Sequence, residues 1–154
     1  MTDSQRNVTL SYGYYVNGNR KSMAVIKAGK TLGNVGYEYT DNNMVAGVTD
    51  FDGDKTVYGY YPFGGLKTIT RPNGVTTAYD YHDLTHQVKK IVHTDRFGSA
   101  INYFEYPEYD NVGNRKRMRG LTGETVYDYD SLYQLKDVKC SGSEHIGQIQ
   151  AKRS

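Results

Sequence analysis

Apolar and polar residues alternate along most of this chain with the two-residue period of a strand, and the alternation is cut at short intervals by Gly, Asn, Asp and Pro. It begins at Val8-Thr-Leu-Ser-Tyr-Gly-Tyr and returns with each Tyr-x-Tyr triplet. With the second tyrosine of each triplet as an anchor, Tyr14 is followed by Arg20 and Met23, and Tyr39 by Val45 and Val48. Tyr60 is followed by Leu66 and Ile69, and Tyr129 by Leu135 and Val138. Each set reads anchor, plus six, plus three. At Tyr81 the partners Val88 and Ile91 come one place late, which predicts a bulge or a longer turn. The strand before Tyr109 is prolonged from Ala100, and Arg115 and Met118 follow that anchor.

The anchors are 25, 21, 21, 28 and 20 residues apart, too close for strand-helix-strand units of about 30 residues or more. Each unit therefore reads as two strands around a turn. Pro62-Phe-Gly-Gly and Asn111-Val-Gly-Asn form the first kind of turn, and Asp52-Gly-Asp, Pro72-Asn-Gly and Leu121-Thr-Gly-Glu the second. The glycines that follow the units, Gly53, Gly74, Gly98 and Gly123, are read as recurring structural positions. The strongest internal copy sets Tyr14 to Met23 over Tyr109 to Met118, sharing Gly-Asn-Arg-Lys-x-Met.

These patterns predict an all-β chain, a twisted and open antiparallel sheet of tandem hairpins. Residues 1–7 are expected to be disordered, residues 8–139 to hold about six units, and residues 140–154 to form a tail outside the repeat. Leu66, Ile69, Val45, Val48, Val88, Ile91, Leu135 and Val138 are expected at packed positions, with the Tyr-x-Tyr pairs forming ladders between units.

Composition adjusts this picture. Leu, Ile, Val and Phe number only 30 of 154 residues, so the 16 tyrosines must supply much of the apolar area and the core is expected to be rich in tyrosine. A net charge of +2 gives no reason to expect a nucleic-acid partner. The single cysteine, Cys140, excludes an internal disulfide framework or a cysteine-based zinc site. The first 30 residues hold no apolar run of signal-peptide or transmembrane length, so any export signal is expected elsewhere.

Candidate chemistry fails at required positions. Asp50, Asp52 and Asp54 have calcium-loop spacing, but Lys55 stands where glycine is needed and Tyr61 where the bidentate glutamate is needed. Asp128 and Asp130 form an Asp-x-Asp inside a repeat strand, and His82 and His86 lack the glutamate of a zinc-protease helix. His93 and His145 have no identifiable partner. Arg115, Lys116, Arg117 and Arg119 are the one dense basic run, and their heads are expected to meet the aspartates of neighbouring units. The expectation is no catalytic residue, no cofactor and no metal. Exposed tyrosines that stack on a glycan are the main alternative to a purely structural role.

Tyr109-Asp110 with Gly113-Asn-Arg, Tyr127-Asp-Tyr-Asp with Gln134-Leu, and Gly74 followed by Tyr79-Asp80-Tyr together resemble the YD repeats of bacterial RHS (rearrangement hotspot) proteins. The resemblance covers about residues 8 to 139, with Tyr39-Thr, Tyr60-Tyr and Tyr81-His departing from Tyr-Asp at the anchor. It implies a segment of a hollow β shell, as in polymorphic toxins and the related teneurins, whose partners are neighbouring repeats and an enclosed toxin polypeptide. It also implies a secreted or cell-surface setting. The chain lacks the export module, the self-cleaving core motif with its Asp-Pro-rich end and the toxin domain of complete members, and so reads as a piece. No catalytic residue is carried over.

Overall fold

The computed structural model describes residues 8–142, together with the backbone of the short strand Thr2–Asp3. The expectations for the rest of residues 1–7 and for residues 143–154 lie outside the described residues. The chain divides into two compact units, Met1–Val75 and Thr76–Ser154.

In the first unit, β1 (Thr2–Asp3), β2 (Val8–Tyr14), β3 (Arg20–Lys27), β4 (Lys30–Tyr39), β5 (Val45–Thr49), β6 (Lys55–Tyr60) and β7 (Leu66–Thr70) pair antiparallel, each with the next. The second repeats the scheme with β8 (Thr76–Tyr81), β9 (Val88–Thr94), β10 (Ala100–Tyr109), β11 (Arg115–Gly120), β12 (Gly123–Tyr129) and β13 (Leu135–Ser141). The fold is all-β, an open antiparallel meander of hairpins, and Cys140 and Ser141 belong to its last strand.

One turn closes nearly every hairpin. In eight of them the first residue donates its N–H to the carbonyl of the residue four ahead, and the fourth donates back to the first, as in Tyr15 to Asn19 and Asp110 to Asn114. The fourth residue has positive φ, which glycine adopts without a Cβ penalty: Gly18, Gly53, Gly64, Gly74, Gly98 and Gly113 occupy it. Asn43 and Tyr133 hold the same place with φ of 60° and 61°. The two kinds of turn expected from sequence are thus one geometry, with Leu121-Thr-Gly-Glu the exception. The turn after Tyr81 has one residue more, running from His82 to Gln87 with His86 at positive φ, and this accounts for the late Val88 and Ile91.

Gly123 does something different. It lies opposite Gly120 at the start of β12, and a Cβ there would collide with the Ser141 carbonyl, so it permits close backbone approach rather than closing a bulged turn.

Register explains the spacing rule. Each anchor pairs with the residue six ahead (seven at Tyr81): Tyr14 with Arg20, Tyr39 with Val45, Tyr60 with Leu66, Tyr81 with Val88, Tyr109 with Arg115 and Tyr129 with Leu135. A register shift sits immediately before every one of them, because the bulged turn adds a residue to one strand. Three positions further on, Met23, Val48, Ile69, Ile91 and Val138 pair with the first tyrosine of the triplet: Tyr12, Tyr37, Tyr58, Tyr79 and Tyr127. Tyrosine therefore faces an apolar side chain across these five hairpins, a combination that stabilises sheets by up to about 1 kcal/mol.

The core, expected to be rich in tyrosine, is thin. A meander that is one layer thick gives its side chains neighbours on one side only. Among the described side chains only Tyr106, at 6 % exposure, is a buried apolar residue, and Thr77, at 1 %, is the most enclosed of all. Seven of the eight apolar positions expected to pack are half-buried, whereas Leu135 is 49 % exposed because β13 has a neighbour, β12, on one side only among the described residues.

Candidate functional site

The anchors define the repeated site. Each stands where a strand enters its turn, next to a register shift, and in three of them the hydroxyl reaches the preceding hairpin. Tyr60 donates to the Val45 carbonyl at 2.8 Å, Tyr109 to Val88 at 2.6 Å and Tyr129 to Arg115 at 2.9 Å. In every case the acceptor is the register partner of the previous anchor. Burial pushes the phenol pKa of Tyr60 and Tyr109 up, since the phenolate would lose its hydration. Tyr39 sets its ring edge-on to Tyr15 at 6.1 Å, and the Tyr15 hydroxyl donates to the Tyr37 carbonyl at 3.1 Å. Tyr14, in the first full hairpin, is 59 % exposed, and Tyr81 is half-buried.

The fifth unit contains the residue that sequence reasoning passed over. Tyr106 takes the place of the first tyrosine, displaced by one residue because Tyr106 and Pro107 form a bulge between the Glu105–Arg119 and Glu108–Arg117 pairs. Its ring lies 4.5 Å from the Arg115 guanidinium, and its carbonyl is 3.0 Å from His82 Nε2. The His82 ring meets Tyr109 edge-on at 5.9 Å. A tyrosine three places before the anchor, next to proline, was the available signal.

The candidate chemistry is dispersed. Asp50 Oδ1 accepts from the Asp52 and Asp54 amides, each at 3.0 Å, and Asp95, Asp110 and Asp130 accept in the same way from the residues two and four ahead. These aspartates close turns. At Asp110 burial works against the charge, yet the hydrogen bonds from Asn114 and the turn amides outweigh it and the carboxyl pKa is lowered. Asp128 pairs with Lys136 at 3.7 Å, away from the turn that Asp130 holds. His86 occupies the positive-φ turn position while His82 points at Tyr106. His93, for which the sequence suggested no partner, has Nδ1 3.0 Å from Thr77 Oγ1 and its ring edge-on to Phe104. Among the described residues no group of three or more His, Cys, Asp or Glu is placed to hold a metal ion.

The two faces of the second unit differ. Thr77, Tyr79, Ile91, His93, Phe104, Met118, Tyr127 and Val138 share one face by register. The other carries an ion-pair network over four strands. Lys90 meets Glu105 at 3.4 Å, and Arg119 and Arg117 meet Glu124 at 2.9 and 2.6 Å. Arg117 and Lys116 meet Glu108 at 3.4 and 3.2 Å. The basic run therefore meets glutamates rather than the expected aspartates. Lys116 first, then Arg117, lowers the Glu108 pKa, and Arg119 does most to lower that of Glu124.

Grooves open between neighbouring turns. One of about 490 Å³ lies between residues 15–19 and 40–44, where the Asn17 and Asn19 amides both donate to Asn43 Oδ1 at 2.9 and 3.1 Å, with Tyr15 and Tyr39 alongside. Another, of about 400 Å³, is lined by His82, Leu84, Pro107 and Tyr109. No helix among the described residues is long and apolar enough to cross a membrane.

The fold is thus that of a hairpin-repeat sheet with tyrosine hydroxyls linking successive hairpins. Solved structures resemble it in backbone fold. The TcdB2-TccC3 structure and its complex with Cdc42 each match at a TM-score of 0.54, with 17% identity over 82% of this chain and 9% of theirs. The Photorhabdus luminescens Tc holotoxin pore, solved with a substituted TccC3, matches at 0.53, with 17% identity over 82% of this chain and 8% of that one. The chain spans less than a tenth of the length of each. No protein-family model and no curated protein matches the sequence.

Proposed function

We propose that this chain is a wall segment of an RHS-type β shell, one that encloses a toxic polypeptide in a secreted or cell-surface bacterial protein. The observation that carries the proposal is the backward reach of Tyr60, Tyr109 and Tyr129 to the register partner of the preceding anchor. Such a link makes each unit's stability depend on its neighbour, the logic of an extended repeat array. The fold likeness to a stretch of TcdB2-TccC3 and the contrast between an aromatic and an ion-paired face support the same reading. The partners would be further repeats at the sheet edges and the enclosed polypeptide. The segment itself performs no chemistry in this reading, which is supported by Asp50 and Asp130 being engaged in turns, Asp128 in an ion pair, and His82 and His93 in separate contacts.

Electron microscopy of the product of the whole reading frame should show a hollow β-walled particle with this segment in its wall, and limited proteolysis should spare a polypeptide inside. A reading frame without further repeats, or a particle whose interior is cut as fast as its surface, overturns the proposal. Hydrolase or nuclease activity of the purified chain overturns its non-enzymatic part.

A second reading, a glycan-binding module, is favoured by the groove between residues 15–19 and 40–44, which joins two tyrosines to three asparagines and the Asp41 carboxylate. Tyr60 is ill suited to stacking on a sugar because it is half-buried with its hydroxyl engaged. Glycan-array binding abolished by Tyr15→Ala would establish this reading, and an array without hits would end it.

A further inference from the structure

We propose that β13 is a self-recognition edge through which two copies of this chain join, strand against strand, about a twofold axis at Val138. Among the described residues β13 pairs with β12 and with no other strand, and six of its seven residues are exposed. Such an edge offers unpaired backbone groups to any strand of matching register. The Val138 N–H donates at 2.9 Å to the Asp137 carboxylate of its own strand. Alternate residues of an antiparallel strand address opposite neighbours, so the backbone of Val138 faces the open side.

Charge selects the partner and the register. An antiparallel copy centred on Val138 sets Val138 against itself and brings Asp137 opposite Lys139 of the second copy, twice by symmetry. Registers centred on Lys136, Asp137 or Lys139 each set a charge against its own like. Within one chain the two charges are loosely held: Lys139 Nζ is 3.8 Å from Asp137 Oδ2, with side chains 80% and 51% exposed. Pairing would give the Val138 N–H a carbonyl from the second copy, and Asp137 would exchange a backbone amide for an ammonium. Asp137 so guards the edge in the single chain and becomes a contact in the pair. The inference concerns the isolated chain and stands or falls apart from the shell reading.

Sedimentation velocity of the full chain at rising concentration, in about 0.1 M salt where screening extends over ~10 Å, should show a monomer-dimer equilibrium. D137K and K139D alone should each weaken the dimer about tenfold or more, because each creates two like-charge oppositions. An equimolar mixture of the two variants should dimerise again, since one then carries two positive and the other two negative charges at the edge. Both positions are exposed, and unchanged circular dichroism would show that the sheet is intact. A wild-type chain that stays monomeric, single variants that dimerise as wild type does, or a mixture that stays monomeric would each overturn the proposal.

Discussion

Replacing Tyr109 with Phe removes one oxygen and leaves the ring against His82 in place. The hydroxyl makes the shortest of the three inter-hairpin bonds, 2.6 Å to the Val88 carbonyl. A neutral hydrogen bond contributes about 1 kcal/mol net, and a carbonyl left without its donor in a half-buried position adds a fraction of the ~1–3 kcal/mol that full burial would cost. The expected loss is therefore about 1–2 kcal/mol, with no cavity term because phenylalanine fills the same space. Tyr14→Phe is the control, since that ring is 59 % exposed, and should change stability by less than about 0.5 kcal/mol. Thermal unfolding separates the two, because ~1 kcal/mol moves the midpoint of a unit of this size by roughly 4–8 °C. Amide exchange around Val88 and Tyr109 should accelerate in the variant. If Tyr109→Phe melts with Tyr14→Phe, the hydroxyl link does not hold neighbouring hairpins together and the argument for an interdependent array fails.

Thr77→Val should destabilise the second unit by about 1 kcal/mol by removing the hydroxyl that meets the half-buried His93 Nδ1, and the His93 ring resonances should shift with it. Tyr133→Gly should raise stability by up to ~1 kcal/mol in chemical denaturation, because tyrosine there holds a φ of 61° that six other turns assign to glycine. Gly123→Ala should cost clearly more than Gly98→Ala, since the first meets the Ser141 backbone and the second meets open space; equal melting points would refute the close approach. The depressed pKa values of Glu108 and Glu124 mean that their contribution is complete above the unfolded value of about 4.3 and is lost as pH falls through the folded values. Acid titration of the unfolding midpoint should therefore show a fall below about pH 4.3 that Glu124→Gln flattens.

The all-β class, the succession of hairpins and the places of several turns were legible because tyrosine and glycine recur at positions where backbone geometry leaves few choices. The positive-φ site of the bulged turn is one such place, and the aspartate at its first residue is another. The anchor-plus-six and plus-nine positions were visible as a pattern, but their meaning as register partners was not, since pairing depends on the residue that the turn adds. Tyr106 was hidden by a one-residue displacement beside Pro107, and the His93 link to Thr77 joins strands whose register the sequence does not state. The thin core was misjudged for a general reason: apolar periodicity shows which face a side chain takes, not whether a second layer covers that face.

Because the bulged turns are closed by hydrogen bonds among their own residues and by a left-handed residue, and the Tyr60, Tyr109 and Tyr129 hydroxyls reach only one hairpin back, none of these contacts depends on how many hairpins precede it. The sequence match between Gly18 to Met23 and Gly113 to Met118 falls on the same structural element, from the left-handed turn residue through the anchor's register partner to the next strand. A crossover between the genetic segments that encode these two stretches would splice a strand to a strand in phase, and the shortened chain would still present a satisfied turn at the junction. Length is thus a heritable variable that this architecture can change in whole hairpins, without passing through an intermediate whose register is broken.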